Sequence, residues 1–237
     1  MNLFILPGNP PALHFYELWA QEIRAQHPES KIEIAHYPLW QSEGDSHAYF
    51  RDLVAVVTKQ FLEFRKREGI QASLVGHSLG GYLALKILEK VPSEVEKCYL
   101  LHPFLRQPLK RGRALLKLAY ELRCHTPMEK WLVRLQPLVS LALEEASKIT
   151  AEEIHVFTQL AYHEHLTISQ DQSSPAVAPE LLKKVFVYST EGDIWCPPAT
   201  VASLGKDVRH TVGSASHNFV VTRKNRDRVS AYLSTAQ

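Results

Sequence analysis

Gly76-His77-Ser78-Leu79-Gly80-Gly81 lies between an apolar run, Ala72-Ser73-Leu74-Val75, and Tyr82-Leu83-Ala84-Leu85-Lys86-Ile87-Leu88, whose apolar residues recur at helical spacing. The first segment reads as a buried strand and the second as a helix, so the hexapeptide is the turn between them. A Gly-x-Ser-x-Gly in that setting lifts one serine hydroxyl above the end of a sheet. Gly76 and Gly80 leave room for strand and helix to approach, and the serine takes a backbone conformation that most residues avoid. The bare pattern recurs by chance; the flanking elements and Gly81 give it weight. A serine raised in this way calls for a base, an acid and an oxyanion hole elsewhere in the chain.

Outward from the turn, strand-like runs are expected at Asn2–Leu6, Lys31–His36, Ala72–Val75, Val95–Leu101, Val185–Ser189 and Asp207–Val212. Helical patterns fall between them at His14–Gln26, Ser46–Arg67, Leu79–Lys90, Pro197–Leu204 and Thr222–Ser234. This alternation predicts an α/β fold, a mostly parallel sheet of about six strands with helices on both faces. Arg106–Gln170 breaks the rhythm, with no good strand and two capping-box signals, Thr126-Pro127-Met128-Glu129 and Thr150-Ala151-Glu152-Glu153. It reads as a helical lid inserted after the fourth strand. Residues 1–105 and 171–237 then form the core, with Asp171–Pro179 as the connector back to it.

On such a sheet, ligand-facing groups collect beyond the carboxyl ends of the strands, and the chain order is nucleophile, acid, base. Asp193 follows the fifth strand and is the expected acid, with Glu191 as the competing carboxylate. Asp171 and Asp207 belong to the wrong end of the sheet. Among twelve histidines, His217 is the expected base, because it sits in the small-residue loop after the last strand. His210 lies inside a strand and reads as structural. His102 ends the fourth strand on the correct edge, as a pocket residue or a fallback base. The oxyanion donors are expected to be the backbone N–H groups of Leu79 and of a residue in Pro7-Gly8-Asn9-Pro10-Pro11. Proline has no N–H, leaving Gly8 and Asn9. Asn9 is preferred because Gly8 is expected to supply the turn. Gly8, His77, His102 and Trp195 complete the candidate pocket.

Together with Asp193 and His217, the hexapeptide resembles the α/β-hydrolase fold over essentially the whole chain. A narrower resemblance is to the lipid-droplet-associated hydrolase family. It rests on Leu6-Pro7-Gly8-Asn9-Pro10 with Phe15-Tyr16, on Asp193-Ile194-Trp195-Cys196-Pro197, and on His217-Asn218-Phe219-Val220. That resemblance implies a serine esterase or lipase-like role on lipid esters, with Ser78, Asp193 and His217 as the triad. A thioesterase or acyltransferase would use the same triad, and a non-catalytic lipid-binding scaffold is the alternative of another class.

Bulk properties narrow the field. A chain of 237 residues, 45% hydrophobic and 22% charged, fits one ordinary globular domain with an insertion. A formal net charge of +2 gives no global reason to expect nucleic acid. Cys98, Cys124 and Cys196 have no paired spacing, which argues for a reducing compartment, and Cys98 is expected as a buried small hydrophobe. With no signal peptide and no spanning segment legible, the expected location is cytoplasmic. No cofactor or metal is expected. His163-Glu164-His165 has metal-ligand residue types, but i and i+2 on a helix diverge by about 200°. Arg106, Lys110, Arg113 and Lys117 share one helical face, read first as solvated and alternatively as docking on an anionic lipid surface. The Leu-rich lid segment from Trp131 to Leu143 reads as core packing, with an acyl pocket as the alternative.

Overall fold

The computed structural model describes residues 1–9, 11–38, 46–106, 108–112, 114, 117, 159–164, 166–168 and 177–236. Six strands, β1 (Asn2–Leu6), β2 (Lys31–Ile34), β3 (Ala72–His77), β4 (Val95–Leu101), β5 (Val185–Thr190) and β6 (Arg209–Gly213), form one sheet in the order β2-β1-β3-β4-β5-β6. Each neighbouring pair is parallel. The helices are α1 (Leu13–Gln26), α2 (Ser46–Glu68), α3 (Leu79–Lys90), the short α4 (Pro179–Leu182) and α5 (Pro198–Ala202), and α6 (Arg223–Thr235).

Period-two alternation along the strands divides the core between two faces. Phe4, Leu6, Leu74, Leu100 and Val187 pack with Phe61, Phe64 and Leu83 from α2 and α3. Leu3, Ile5, Val75, Tyr99 and Tyr188 pack with Trp19, Ile23, Val229 and Leu233 from α1 and α6. Helix α1 reaches the sheet because Phe15, Tyr16, Trp19, Ala20 and Ile23 recur on one stripe. The indole N–H of fully buried Trp19 donates to Ser230 Oγ at 2.9 Å, so this burial strands no polar group.

Strand order reverses between β1 and β3, where Leu6 is in register with Gly76. The chain leaves both strands at their carboxyl ends there, bringing Pro7-Gly8-Asn9 beside Ser78. The turn after β3 has the geometry expected of it. Ser78 has φ of 50° and His102 of 48°, the positive values among described non-glycine residues. A Cβ on Gly80 would overlap the carbonyl oxygen of Leu6, and one on Gly76 would overlap the carbonyl of Gly80. The glycines are required by this close approach of β1, β3 and α3.

Some boundaries differ from expectation for identifiable reasons. Strand β2 stops at Ile34 because the Gln60 side chain takes over both backbone groups of His36, at 3.0 and 2.9 Å. Strand β6 starts at Arg209, after a turn holding Asp207 and Val208, and as the edge strand it is largely exposed. Helix α5 is shorter than the expected Pro197–Leu204, and α4 was not expected. Cys98 and Cys196 are free and buried. Between β4 and β5, residues 110–112 and 159–164 are helical, consistent with a helical insertion there. Both capping boxes, Arg113, Cys124, the segment from Trp131 to Leu143, and residues 171–176 of the connector lie outside the described residues. No helix among the described residues is long and apolar enough to cross a membrane.

Candidate active site

Three loops at the carboxyl edge of the sheet meet above the β3 turn. Ser78 Oγ lies 3.1 Å from His217 Nε2, and His217 Nδ1 lies 2.8 Å from Asp193 Oδ2. Asp193 and Ser78 are buried at 6% and 8% exposure. Glu191, the competing carboxylate, is exposed. The Asp193 carboxylate is held on both oxygens. Its Oδ1 accepts the backbone N–H groups of Trp195 at 2.9 Å and Cys196 at 3.2 Å. Its Oδ2 accepts from two histidines, because His102 Nδ1 also lies 2.9 Å away.

These contacts fix the protons. A carboxylate can only accept, so His102 and His217 both carry hydrogen on Nδ1. Nε2 of neutral His217 is then a bare acceptor facing the Ser78 hydroxyl, the arrangement a general base needs. Burial alone would raise the Asp193 carboxyl, but hydrogen bonds from His102, His217 and the Trp195 N–H hold it well below the usual carboxylate range. Burial lowers His102, so it shares the carboxylate as a neutral donor. His102, Asp193 and His217 have the residue types of a metal site, with ligand atoms within 4.8 Å of one another. Two N–H groups converging on one carboxylate oxygen account for the same closeness.

The loop after β1 is pinned at three successive residues. Tyr37 Oη donates to the Pro7 carbonyl at 2.7 Å, Gly8 N–H donates to Tyr16 Oη at 2.7 Å, and Asn9 Nδ2 donates to Glu164 Oε2 at 2.5 Å. Gly8 therefore spends its N–H on Tyr16, which leaves Asn9 as the donor of the expected pair. The reason for a glycine also changes. Gly8 does not have a positive φ; a Cβ there would sit 2.9 Å from His77 Nδ1 and 3.1 Å from Ser78 Cβ. Leu79, the other expected donor, opens α3, where N–H groups lack intrahelical partners.

The remaining candidates fall into place around this frame. Trp195 is half-buried, with its ring centroid 6.4 Å from that of His217. His77 is buried and bonds Tyr16 Oη at 2.6 Å through Nδ1 and the His217 carbonyl at 2.8 Å through Nε2. His210 pairs with Ser189 Oγ at 2.8 Å within the strand layer. His163 pairs with Ser46 Oγ at 2.9 Å and stacks on Tyr49, while Glu164 turns to Asn9; His165 lies outside the described residues. Sequence reasoning missed Tyr16, Glu164 and the bond from His102 to Asp193. The position of Tyr16 one helical turn past the Pro-rich loop was the available signal, and Glu164 had none.

Burial raises the Glu164 carboxyl from its ordinary 4.5 to about 8, against the lowering effect of the Asn9 hydrogen bond. Between those values the folded chain holds a proton that the unfolded chain has lost. Stability therefore falls as pH rises through this window, by up to about 1.4 kcal/mol per pH unit from this group. Glu164→Gln, which still offers Asn9 a carbonyl, is expected to flatten the fall. Urea unfolding at several pH values between 5 and 8 checks this; equal slopes in both proteins would refute it.

A profile of the family described as "Lipid-droplet associated hydrolase" matches residues 1–227. The chain belongs to this family. It is similar to the human lipid droplet-associated hydrolase, 23% identical over 247 residues, covering 86% of this chain and 74% of that protein. Among solved structures, a 2-hydroxy-6-oxo-6-phenylhexa-2,4-dienoate hydrolase from a Rhodococcus strain superposes with a TM-score of 0.67 at 16% identity, covering 98% of this chain and 88% of that one. The RedJ thioesterase of prodiginine biosynthesis from Streptomyces coelicolor gives 0.59 at 17% identity, covering 100% and 90%. A lipase-esterase related protein from Clostridium acetobutylicum gives 0.59 at 15%, covering 99% and 93%. At these identities the likeness establishes the α/β-hydrolase fold. Its members here are hydrolases and thioesterases of different chemistry, so the fold does not name a substrate.

Proposed function

We propose that the chain is a serine hydrolase of carboxylic esters, with lipid or acyl esters as the substrate class, acting through an acyl-enzyme. The observation that carries this reading is the chain of contacts from Ser78 Oγ through His217 to Asp193, at 3.1 and 2.8 Å. Ser78 Oγ attacks the ester carbonyl carbon as His217 Nε2 takes its proton. Asp193 keeps the imidazole in the Nδ1–H tautomer and stabilises the imidazolium that forms. The N–H groups of Leu79 and Asn9 receive the oxyanion, a contribution of roughly 3–4 kcal/mol per donor in well-studied enzymes. Collapse of the tetrahedral intermediate breaks the C–O bond, and His217 returns the proton to the leaving alcohol. Water, deprotonated by His217, then releases the acid and regenerates Ser78.

The lid reading of 106–170 belongs to this proposal. Two contacts support its lying over the site: Leu109 N–H donates to the Ile194 carbonyl at 2.9 Å, beside Asp193, and Glu164 holds Asn9 at 2.5 Å. A panel of p-nitrophenyl esters of increasing acyl length, run beside acyl-CoA substrates, tests the function. Ester hydrolysis with a chain-length optimum is expected. Turnover of acyl-CoA alone would replace the reading with a thioesterase. Tight binding of a hydrophobic fluorophore without turnover of either class would replace it with a lipid-binding scaffold.

A further inference from the structure

We propose that Tyr16 and His77 are a positioning pair that ties the oxyanion loop to the backbone of His217, so that donor, nucleophile and base are aligned by one hydrogen-bonded chain. The proposal rests on Ser78 being the nucleophile. Its direction follows from what each atom can do. The Gly8 N–H can only donate, and Tyr16 Oη accepts it at 2.7 Å. The single Tyr16 hydroxyl hydrogen then goes to His77 Nδ1 at 2.6 Å. With Nδ1 accepting, the His77 proton sits on Nε2, where the His217 carbonyl accepts it at 2.8 Å. Every donor in the chain has one acceptor.

The pair is built for permanence rather than proton transfer. Tyr16 and His77 are 1% and 4% exposed. Protonating His77 would destroy its acceptor and place a cation beside His217 and His102, partly offset by Asp193. Burial, reinforced by those two histidines, keeps it neutral by holding it well below the usual histidine range. Tyr16 arrives from α1, His102 from the end of β4, Asp193 from the loop after β5 and His217 from the loop after β6. The Phe219 ring meets the His77 ring edge-on at 4.9 Å. His77 also precedes Ser78 directly, so it reports the position of the nucleophile to both flanking loops. The pair is assigned a positioning role because its hydrogen bonds go to Gly8, to each other and to the His217 carbonyl rather than to Ser78 Oγ or His217 Nε2, and the His77 ring only packs against the His217 ring at 5.3 Å.

Tyr16→Phe removes the hydroxyl while keeping the ring, leaving Gly8 N–H and His77 Nδ1 unpaired. Its kcat is expected to fall on the order of 10- to 100-fold, as for an ångström-scale misplacement, with KM changed less than about twofold. His77→Gln, which retains a donor, should keep more kcat than His77→Leu at equal folded fraction by circular dichroism. A wild-type kcat in folded Tyr16→Phe would overturn the proposal. A second measurement is independent of turnover: the long-range proton–nitrogen NMR spectrum of the imidazoles. His77 is expected as a neutral Nε2–H tautomer at neutral pH. A Nδ1–H tautomer, or a protonated ring, under those conditions would overturn the pairing whatever the enzyme does. Failure of wild-type Ser78 to react with a fluorophosphonate, with the expected NMR signature present, would instead overturn the catalytic reading and with it the positioning role.

Discussion

Ser78→Ala is expected to lower kcat on the order of a million-fold and to abolish covalent labelling by a fluorophosphonate, with the fold intact. The magnitude follows from the unit behaviour of a nucleophile and its base: removing one costs nearly as much as removing both. What remains is binding and oxyanion stabilisation, worth about a thousand-fold over water in comparable enzymes. Intact folding is expected because Ser78 contributes little packing that alanine would lose. Its backbone is strained instead, at φ 50° and ψ −115°, a conformation that costs side-chain-bearing residues of order 1–3 kcal/mol. Alanine retains that strain and glycine relieves it. Ser78→Gly, equally inactive, should therefore melt above Ser78→Ala. The two melting curves, with intact mass after probe treatment, check both halves. Labelling that survived in either variant would remove Ser78 from its role.

The strain at Ser78 was legible because glycine, serine and glycine stood between two segments of different period. That Asp193 and His217 come near Ser78 was legible because both follow strands whose carboxyl ends share one edge. Gly8 shows where local reading stops. Its glycine looked like a turn requirement, whereas the space is taken by His77 and Ser78, 69 and 70 positions later in the chain. The contacts of Tyr16 and Glu164 were hidden for the same reason: each acts through a partner that only the folded sheet brings near. Tyr16 carried one mark, its place one helical turn past the Pro-rich loop, and Glu164 carried none that pointed to Asn9. His102 was half-legible: the strand end showed which edge it occupies, but the register of β4 against β5 decides that it meets Asp193.

Asp193→Asn is expected to cost about ten-thousand-fold in kcat, through protons rather than shape. The wild-type carboxylate accepts four hydrogen bonds, from the backbone N–H groups of Trp195 and Cys196 on one oxygen and from two histidines on the other. Asparagine has one acceptor oxygen. The backbone donors are fixed and must keep it, which turns the amide NH2 toward His102 and His217. Both rings then have to accept at Nδ1 and move their hydrogen to Nε2. For His217 that places N–H where the Ser78 hydroxyl needs an acceptor, so the base is blocked in its neutral form. His102 makes the argument separable. His102→Phe deletes one donor to Oδ2, leaving more of the carboxylate charge for the imidazolium of His217, so its kcat should depart from wild type. His102→Asn tolerates positive φ and can still donate, so its kcat should stay near wild type. An unchanged kcat in folded His102→Phe would show that the second histidine fills space beside Asp193 without tuning it. Near-normal kcat in Asp193→Asn would show that the carboxylate is not the group that sets the tautomer of His217.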